Sequence, residues 1–168
     1  GQDNNPYLTC LGLQNLQSNL EGASQQPFNF RAQVSAGNAA FNLQLHDIAI
    51  ESYERAVALL PNAWGLRDDL AESQIDAGLF YEALAELDWG LDITGESGAS
   101  ARAWFLRARA LTGLGQHEGA IASLEVGIPF GFEMPWTQDS LNLTNELNAQ
   151  LGVQYEIDYF DRKIRESP

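Results

Sequence analysis

Three carboxylates and two arginines are the residues whose types and spacing could do chemistry. Asp69, Glu72 and Asp76 are separated by three and four residues, so they share one face of a helix. Arg102 and Arg109 are seven residues apart, which also places them on a common helical face. Carboxylates held together could bind calcium or act as acid and base. Calcium loops need glycine-kinked oxygen cages and catalytic carboxylates need a pocket, and the sequence indicates neither.

The other reactive side chains are scattered along the chain. His46 and His117 are separated by several predicted helices, which puts them roughly 20 Å apart, too far to share a metal. Cys10 is the single cysteine, so an internal disulfide and an all-cysteine zinc site are excluded. No glycine-rich phosphate loop, zinc-binding helix motif or serine elbow occurs. We therefore expect no metal, no cofactor and no enzymatic activity.

The carboxylates belong to a pair of amphipathic helices predicted over residues 64–93 and joined at Gly78. Leu66 and Leu70 recur at helical spacing before the glycine, and small and apolar residues at 83–91 form a second face after it. One helix cannot bury such a face alone. Each pair must therefore pack against its neighbours in the chain.

The same pattern occurs three times. The residues at 83–91 match those at 49–57, an offset of 34 residues, and those at 120–128, an offset of 37. A period near 34 with two helices in each unit indicates a stacked repeat. It predicts an all-α solenoid of antiparallel helix pairs. The expected helices cover residues 30–43, 46–60, 64–77, 80–93, 101–114 and 117–128.

These units resemble the tetratricopeptide repeat over residues 30–131. In the third unit the matching residues are Trp104, Ala108, Leu111, Gly115, Ala120, Leu124 and Gly127. In the second they are Leu70, Ala71, Gly78, Phe80, Ala83, Leu87 and Gly90. In the first they are Gly37, Ala49, Tyr53, Ala56 and Pro61, although Leu43-Gln44-Leu45 carries no glycine at the turn. The resemblance implies a right-handed superhelix of three units, 30–63, 64–97 and 101–131.

In this family the first helices of successive units line a concave groove that binds peptides or protein segments. The resemblance implies the groove residues Asn38, Asn42, Asp68, Asp69, Glu72, Asp76, Arg102, Phe105 and Arg109. Two interpretations of the charged residues are open. The acidic and basic faces either pair with each other as a salt-bridge ladder between repeats or form a polarised groove that grips a peptide.

Some members of the family clamp the carboxylate tails of heat-shock chaperones with a lysine, asparagines and further basic residues. Asn38 and Arg102 match that pattern here. Val34 replaces the lysine, Asp69 replaces an asparagine and Leu106 replaces the second base. Because Asp69 would repel a terminal carboxylate, we predict that this protein does not clamp such tails.

The segments outside the repeats predict end caps. Residues 1–29 read as a flexible start, a capping helix near 7–21 and a linking loop rich in glycine, serine and glutamine. Residues 132–168 predict lid helices, because the last helix of a solenoid must cover the apolar face before it. Phe132 and Trp136 are the candidates for an exposed contact patch.

The charge of the chain excludes several classes of partner. The 23 acidic residues against nine lysines and arginines give a formal net charge of −14, which repels phosphate backbones and argues against nucleic acid. No apolar run approaches the roughly 18 to 20 residues of a membrane span, so we expect no membrane insertion. The polar start after Gly1 favours an exported, periplasmic bacterial protein, with a tag remnant and a cytoplasmic location as the alternatives.

Repeats, charge and the lack of catalytic motifs favour a non-catalytic scaffold or adaptor. It would bind a protein or peptide partner in the concave groove, within an exported bacterial complex. Two alternatives remain open. One is an accessory module that binds a small ligand under the C-terminal aromatic lid, and the other is a structural subunit that forms homo-oligomers through the same lid.

Overall fold

The computed structural model describes residues 6–95 and 101–127, together with Asn142, Leu143, Asn145, Glu146 and Ala149 of a later helical segment. The predicted flexible start at 1–5 and most of the predicted lid at 132–168 lie outside these residues. Within the described ranges the regular structure is helical. The helices are α1 (Pro6–Gln25), α2 (Phe30–Asn42), α3 (His46–Leu59), α4 (Trp64–Asp76), α5 (Phe80–Thr94), α6 (Ala101–Gly113) and α7 (His117–Gly127).

The helices form three antiparallel pairs, and each pair packs on the next. α2 packs with α3, α4 with α5 and α6 with α7, while α3 contacts α4 and α5 contacts α6. The six helices of the repeats begin at the predicted residues, because the 34-residue period fixes where each apolar face must start. The predicted all-α solenoid is confirmed. None of the described helices combines the length and apolar character needed to cross a membrane.

The helix α1 is longer than the sequence predicted. The glycine- and serine-containing segment after Glu21 was expected to be a loop, and that prediction is wrong, because α1 continues to Gln25. Ala23 is buried there, and the Gln33 side chain of α2 donates a hydrogen bond to its carbonyl oxygen at 3.0 Å. Tertiary contacts with α2 therefore stabilise a turn of helix that local propensity does not favour.

The turns within the three pairs share one backbone conformation. Gly78 and Gly115 have positive φ angles of 80° and 73°, in the left-handed region that glycine adopts without strain. The equivalent residue of the first pair is Gln44, with φ 59°. The first turn therefore keeps the geometry of the other two, although it carries a side chain where they have glycine.

Three apolar clusters form the core, and they are offset from the repeat units. The first contains α1, α2 and α3 side chains together with Leu70 of α4. The second joins α4, α5 and α6, and the third joins α6 and α7 with Leu84 of α5 and Leu143 of the later segment. A helix such as α4 thus contributes to two clusters, one on each side. This arrangement holds neighbouring units in a fixed relative orientation.

Gly37 of α2 lies directly against the Tyr53 ring of α3. A Cβ atom added there would lie 2.6 Å from the buried ring of Tyr53, so Gly37→Ala must displace that ring. We expect a loss of about 1 to 3 kcal/mol in the free energy of unfolding, the usual cost of overpacking. The measurement is urea denaturation followed by circular dichroism.

The matched control for this substitution is Gly22→Ala in α1. A Cβ at Gly22 meets nothing within 4 Å, so alanine should stabilise the helix by about 0.5 to 1 kcal/mol. Stabilisation by both substitutions would show that the approach of α2 to Tyr53 is looser than the geometry indicates.

Candidate functional site

The first helices of the three pairs, α2, α4 and α6, carry the predicted groove residues. The asparagines Asn38 and Asn42 are on α2 and are exposed. The four acidic residues are on α4, and Arg102, Phe105 and Arg109 are on α6. Besides packing in sequence, α4 and α6 contact each other directly. The charged residues of the second and third units are therefore brought face to face.

The acidic and basic residues pair with each other across these two helices. Arg102 donates to Asp69 at 2.7 Å and to Glu72 at 2.5 Å. Arg109 donates to Asp76 at 2.9 Å, and its guanidinium lies 3.7 Å from the second oxygen of Glu72. We call these five residues the ladder. Of the two interpretations of the sequence, an internal set of salt bridges describes this geometry.

The ladder has consequences for the charge of the groove. Its side chains are 23 to 31% exposed, so the ion pairs are partly shielded from water. Three carboxylates face two guanidinium groups, which leaves one net negative charge over five residues. The ladder therefore ties α4 to α6, and it neutralises most of the polarity that the sequence suggested for this face.

Asp68 has an environment unlike that of its acidic neighbours. It is only 1% exposed, so the prediction that it lines the accessible groove is wrong. Neither carboxylate oxygen accepts a hydrogen bond from the residues that the structure describes. Burial raises the pKa of Asp68 to about 7, and the negative charges of Asp69 and Glu72 act in the same direction, whereas Arg102 lowers it. Asp68 is a buried carboxyl beside the ladder, without a direct hydrogen-bond partner in the described part of the chain.

Opposing interactions act on the pKa of Asp69. Burial raises the pKa of Asp69, while its hydrogen bond and charge interaction with Arg102 lower it, and burial prevails. Arg102 therefore offsets the burial of at least two carboxyl groups, through direct contact with Asp69 and through its field at Asp68. Removing its charge would leave the group of carboxylates on α4 without their central cation.

The side chain of Asn38 is held in one orientation by a buried tyrosine. The Tyr53 hydroxyl donates a hydrogen bond to Asn38 Oδ1 at 2.7 Å. Burial raises the pKa of Tyr53 well above its usual value, and Asp69, Arg102 and Glu72 are near enough to influence it. Because the carbonyl oxygen of Asn38 accepts from Tyr53, the amide NH2 points to the other side of the exposed side chain. Tyr53 therefore fixes Asn38 while its hydroxyl lies within electrostatic reach of the ladder.

The remaining groove residues extend this surface at both ends. A depression of about 570 Å³ is lined by Phe41, Asn42, Gln44, His46 and Asp76, so two predicted site residues, Asn42 and Asp76, share one concavity. At the other end Phe105 is partly buried and packs against the third cluster, which also includes Leu143. Phe132 and Trp136, the predicted contact patch, lie outside the described residues.

Several side-chain contacts between residues distant in the chain could not be predicted from the sequence. The guanidinium of Arg67 stacks on the Trp89 ring at 3.6 Å, pairs with Glu86 and donates to the Pro61 carbonyl at 3.0 Å. These partners lie outside helical i, i+4 spacing, so no local pattern marks them. Tyr53 and Asn38 are likewise fifteen residues apart. Within the described ranges, no group of three or more histidine, cysteine, aspartate or glutamate side chains is arranged to hold a metal ion.

Comparison with known proteins agrees with this architecture. Residues 30–62 and 101–125, in the first and third units, match the model of the tetratricopeptide repeat. A crystal structure of MamA superposes with a TM-score of 0.71 at 16% identity, covering 90% of this chain and 84% of that chain. The 41-end segment of MamA from Desulfovibrio magneticus RS-1 gives 0.74 at 18%, covering 96% and 90%. No curated protein matches the sequence.

These matches bear on the fold alone, because the identities to the solved structures are low. The middle unit, which the repeat model does not match, has the same helix pair and the same glycine turn as the third. The resemblance inferred from the spacing of small and apolar residues is therefore confirmed, and with it the tetratricopeptide type of solenoid.

Proposed function

Because the chain is built of tetratricopeptide repeats, we propose that it is a non-catalytic scaffold whose concave face binds a segment of a partner protein. Repeats of this type act as rigid surfaces for protein recognition, since stacked helix pairs expose a long, preformed groove. The partner would lie against α2, α4 and α6. The observation that carries the proposal is the exposed amide of Asn38, fixed by Tyr53, one helical turn before Asn42, which lines a depression together with Asp76.

The first unit supplies the hydrogen bonds in this proposal. The NH2 group of Asn38 offers donors to the carbonyl oxygens of an extended chain, and Tyr53 fixes its direction before binding. A preorganised donor loses less conformational entropy on binding than a freely rotating one. Asn42 is exposed four residues further on, so both amides face the same side of α2.

The ladder has a supporting role in this proposal. Asp69, Glu72 and Asp76 are engaged by Arg102 and Arg109, so a charged peptide would have to break existing ion pairs to reach them. A segment that is largely uncharged where it crosses α4 therefore fits the groove better than a highly charged one. We propose that the ladder sets the spacing between α4 and α6 and thereby the curvature of the binding surface.

Affinity capture from an extract of the source cells tests the proposal. The immobilised wild type should retain a partner that the Asn38→Ala/Asn42→Ala variant retains at least tenfold less, because two amide contacts are lost. Calorimetry with the purified partner should give the same ratio. The matched control is Gln14→Ala/Ser18→Ala on the exposed face of α1, which should retain the partner as the wild type does. Equal retention by all three proteins would place the contact away from the groove.

A further inference from the structure

The turns inside the three helix pairs lie along one edge of the solenoid. We call this edge, formed by residues 43–48, 77–82 and 114–119, the turn edge. Its turns are equivalent, since Gln44, Gly78 and Gly115 share the left-handed conformation. The groove described above lies on the faces of α2, α4 and α6, whereas the turn edge lies at the junctions between first and second helices. The groove depression reaches the first turn at Gln44 and His46, whereas residues 77–82 and 114–119 of the turn edge have no part in the proposed groove function.

The turn edge exposes large apolar side chains. Leu45 and Leu79, each the residue before the second helix of its pair, are 37% and 40% exposed, and Tyr81 is 70% exposed. A depression of about 390 Å³ is lined by Leu45, Ile48 and Ala77 together with Gln44, His46 and Asp47. Since Ala77 belongs to the second turn, residues of two adjacent turns line this depression. This edge therefore contains an apolar depression beside further exposed apolar groups.

The charges on this edge have one sign. Asp47, Glu82 and Glu118 lie in the first turns of α3, α5 and α7. None of the three forms an ion pair with a residue that the structure describes, while Arg55, Arg67, Arg102, Arg107 and Arg109 are all paired with other carboxylates. The acidic residues also stabilise the N-terminal ends of their helices. That role does not account for the exposed leucines and tyrosine between them.

Charge decides which occupant fits the turn edge. Another copy of a chain with net charge −14 would bring like charges to an already acidic surface. A segment with basic and aliphatic side chains would instead place an aliphatic group in the depression and a lysine or arginine beside Asp47 and Glu82. We propose that the turn edge is a second docking surface, which adjoins the concave groove at Gln44 and His46, for a basic amphipathic segment of a partner protein.

The test uses two synthetic peptides of equal length. One contains only leucine and lysine at helical spacing, and the other has glutamate in place of lysine. Fluorescence anisotropy at physiological salt should detect binding of the lysine peptide and none of the glutamate peptide, because salt screens weak unspecific attraction. The Leu45→Ser/Asp47→Asn variant should bind the lysine peptide at least tenfold more weakly than the wild type.

Matched controls separate this surface from general acidity. Leu60, the residue after α3, is also 37% exposed, and Glu54 is an exposed acidic residue of α3. Leu60→Ser/Glu54→Gln therefore removes a leucine and an acidic side chain outside the turn edge. It should change the affinity less than twofold, and so should Asn38→Ala in the groove. Circular dichroism confirms that all variants keep their helicity.

Three outcomes would overturn the proposal. The lysine peptide could fail to bind the wild type, or the two double variants could lose affinity equally, which would assign binding to net charge. The third outcome is that, without any peptide, the wild type is a dimer and the Leu45→Ser/Asp47→Asn variant is a monomer. Sedimentation measures that mass, and such a change would make another copy of the chain the occupant.

Discussion

Arg102→Ala should lower the free energy of unfolding by about 2 to 4 kcal/mol, between the cost of losing an exposed ion pair and that of breaking a fully buried one. Arg102 is the only ladder residue bound to two carboxylates at 2.7 Å or less. Without it, Asp69 remains partly buried without its cation, Glu72 keeps only the longer contact with Arg109 at 3.7 Å, and Asp68 loses the positive charge that opposes its desolvation. The substitution should loosen the contact between α4 and α6.

Urea denaturation of Arg102→Ala and of a matched arginine variant measures this effect. Arg55 pairs with Glu51 on the surface of α3, where the two side chains are 57% and 64% exposed. Arg55→Ala removes the same kind of residue and should cost less than about 0.5 kcal/mol. Similar losses for the two variants would mean that the ladder contributes no more than an exposed salt bridge.

Asp68→Asn should make the protein more stable at pH 8, and the gain should disappear towards pH 5. Burial raises the pKa of Asp68 from 3.8 to about 7, so the folded state holds the proton more tightly than the unfolded state. Between these values stability therefore falls as the pH rises, and the full cost is present above pH 7. A pKa displacement of this size corresponds to about 4 kcal/mol.

The asparagine variant recovers only part of that cost. Its amide is uncharged but still lacks hydrogen-bond partners in the same environment, so we expect a net gain of about 2 kcal/mol at pH 8. At pH 5 the Asp68 carboxyl of the folded wild type is already neutral. The free energies of unfolding of the two proteins should then be within about 1 kcal/mol of each other.

Denaturation at several pH values measures this difference, with Asp47→Asn as the exposed control. That control should change the free energy of unfolding by less than about 1 kcal/mol. Asp68→Val gives an independent check, because the first and third repeats carry Val34 and Phe105 at the equivalent position. A constant difference between Asp68→Asn and wild type across this range would show that Asp68 remains ionised in the folded protein.

The helices could be predicted from the sequence because each is marked by several residues at once. Gly78 and Gly115 mark the turns, and the small residues at 83–91 and 120–128 mark the helix contacts. Asn29 caps α2 through its side chain, another local signal. Among the described helices, α1 departs most from the prediction at its end, because the contact that extends it comes from Gln33, outside the segment itself.

The site was harder to predict, because its chemistry depends on distances between helices. Spacing placed Asp69 and Glu72 on one face and Arg102 on another, yet both a ladder and an open charged groove agreed with that pattern. The burial of Asp68 follows from the packing of α4 against its neighbours, which adjacent positions in one helix do not reveal. The hydrogen bond between Tyr53 and Asn38 likewise could not be predicted from the sequence.

The offset between apolar clusters and repeats affects how such a chain can change its length. A gene rearrangement that removes the 34 residues 64–97 takes Leu70 from the first cluster and Ala71, Ile75, Ala83, Leu87 and Leu91 from the second. The packing of both clusters then depends on the helix that takes the place of α4. Addition or loss of a whole unit is therefore tolerated only where the newly joined helix presents equivalent apolar residues on both of its sides.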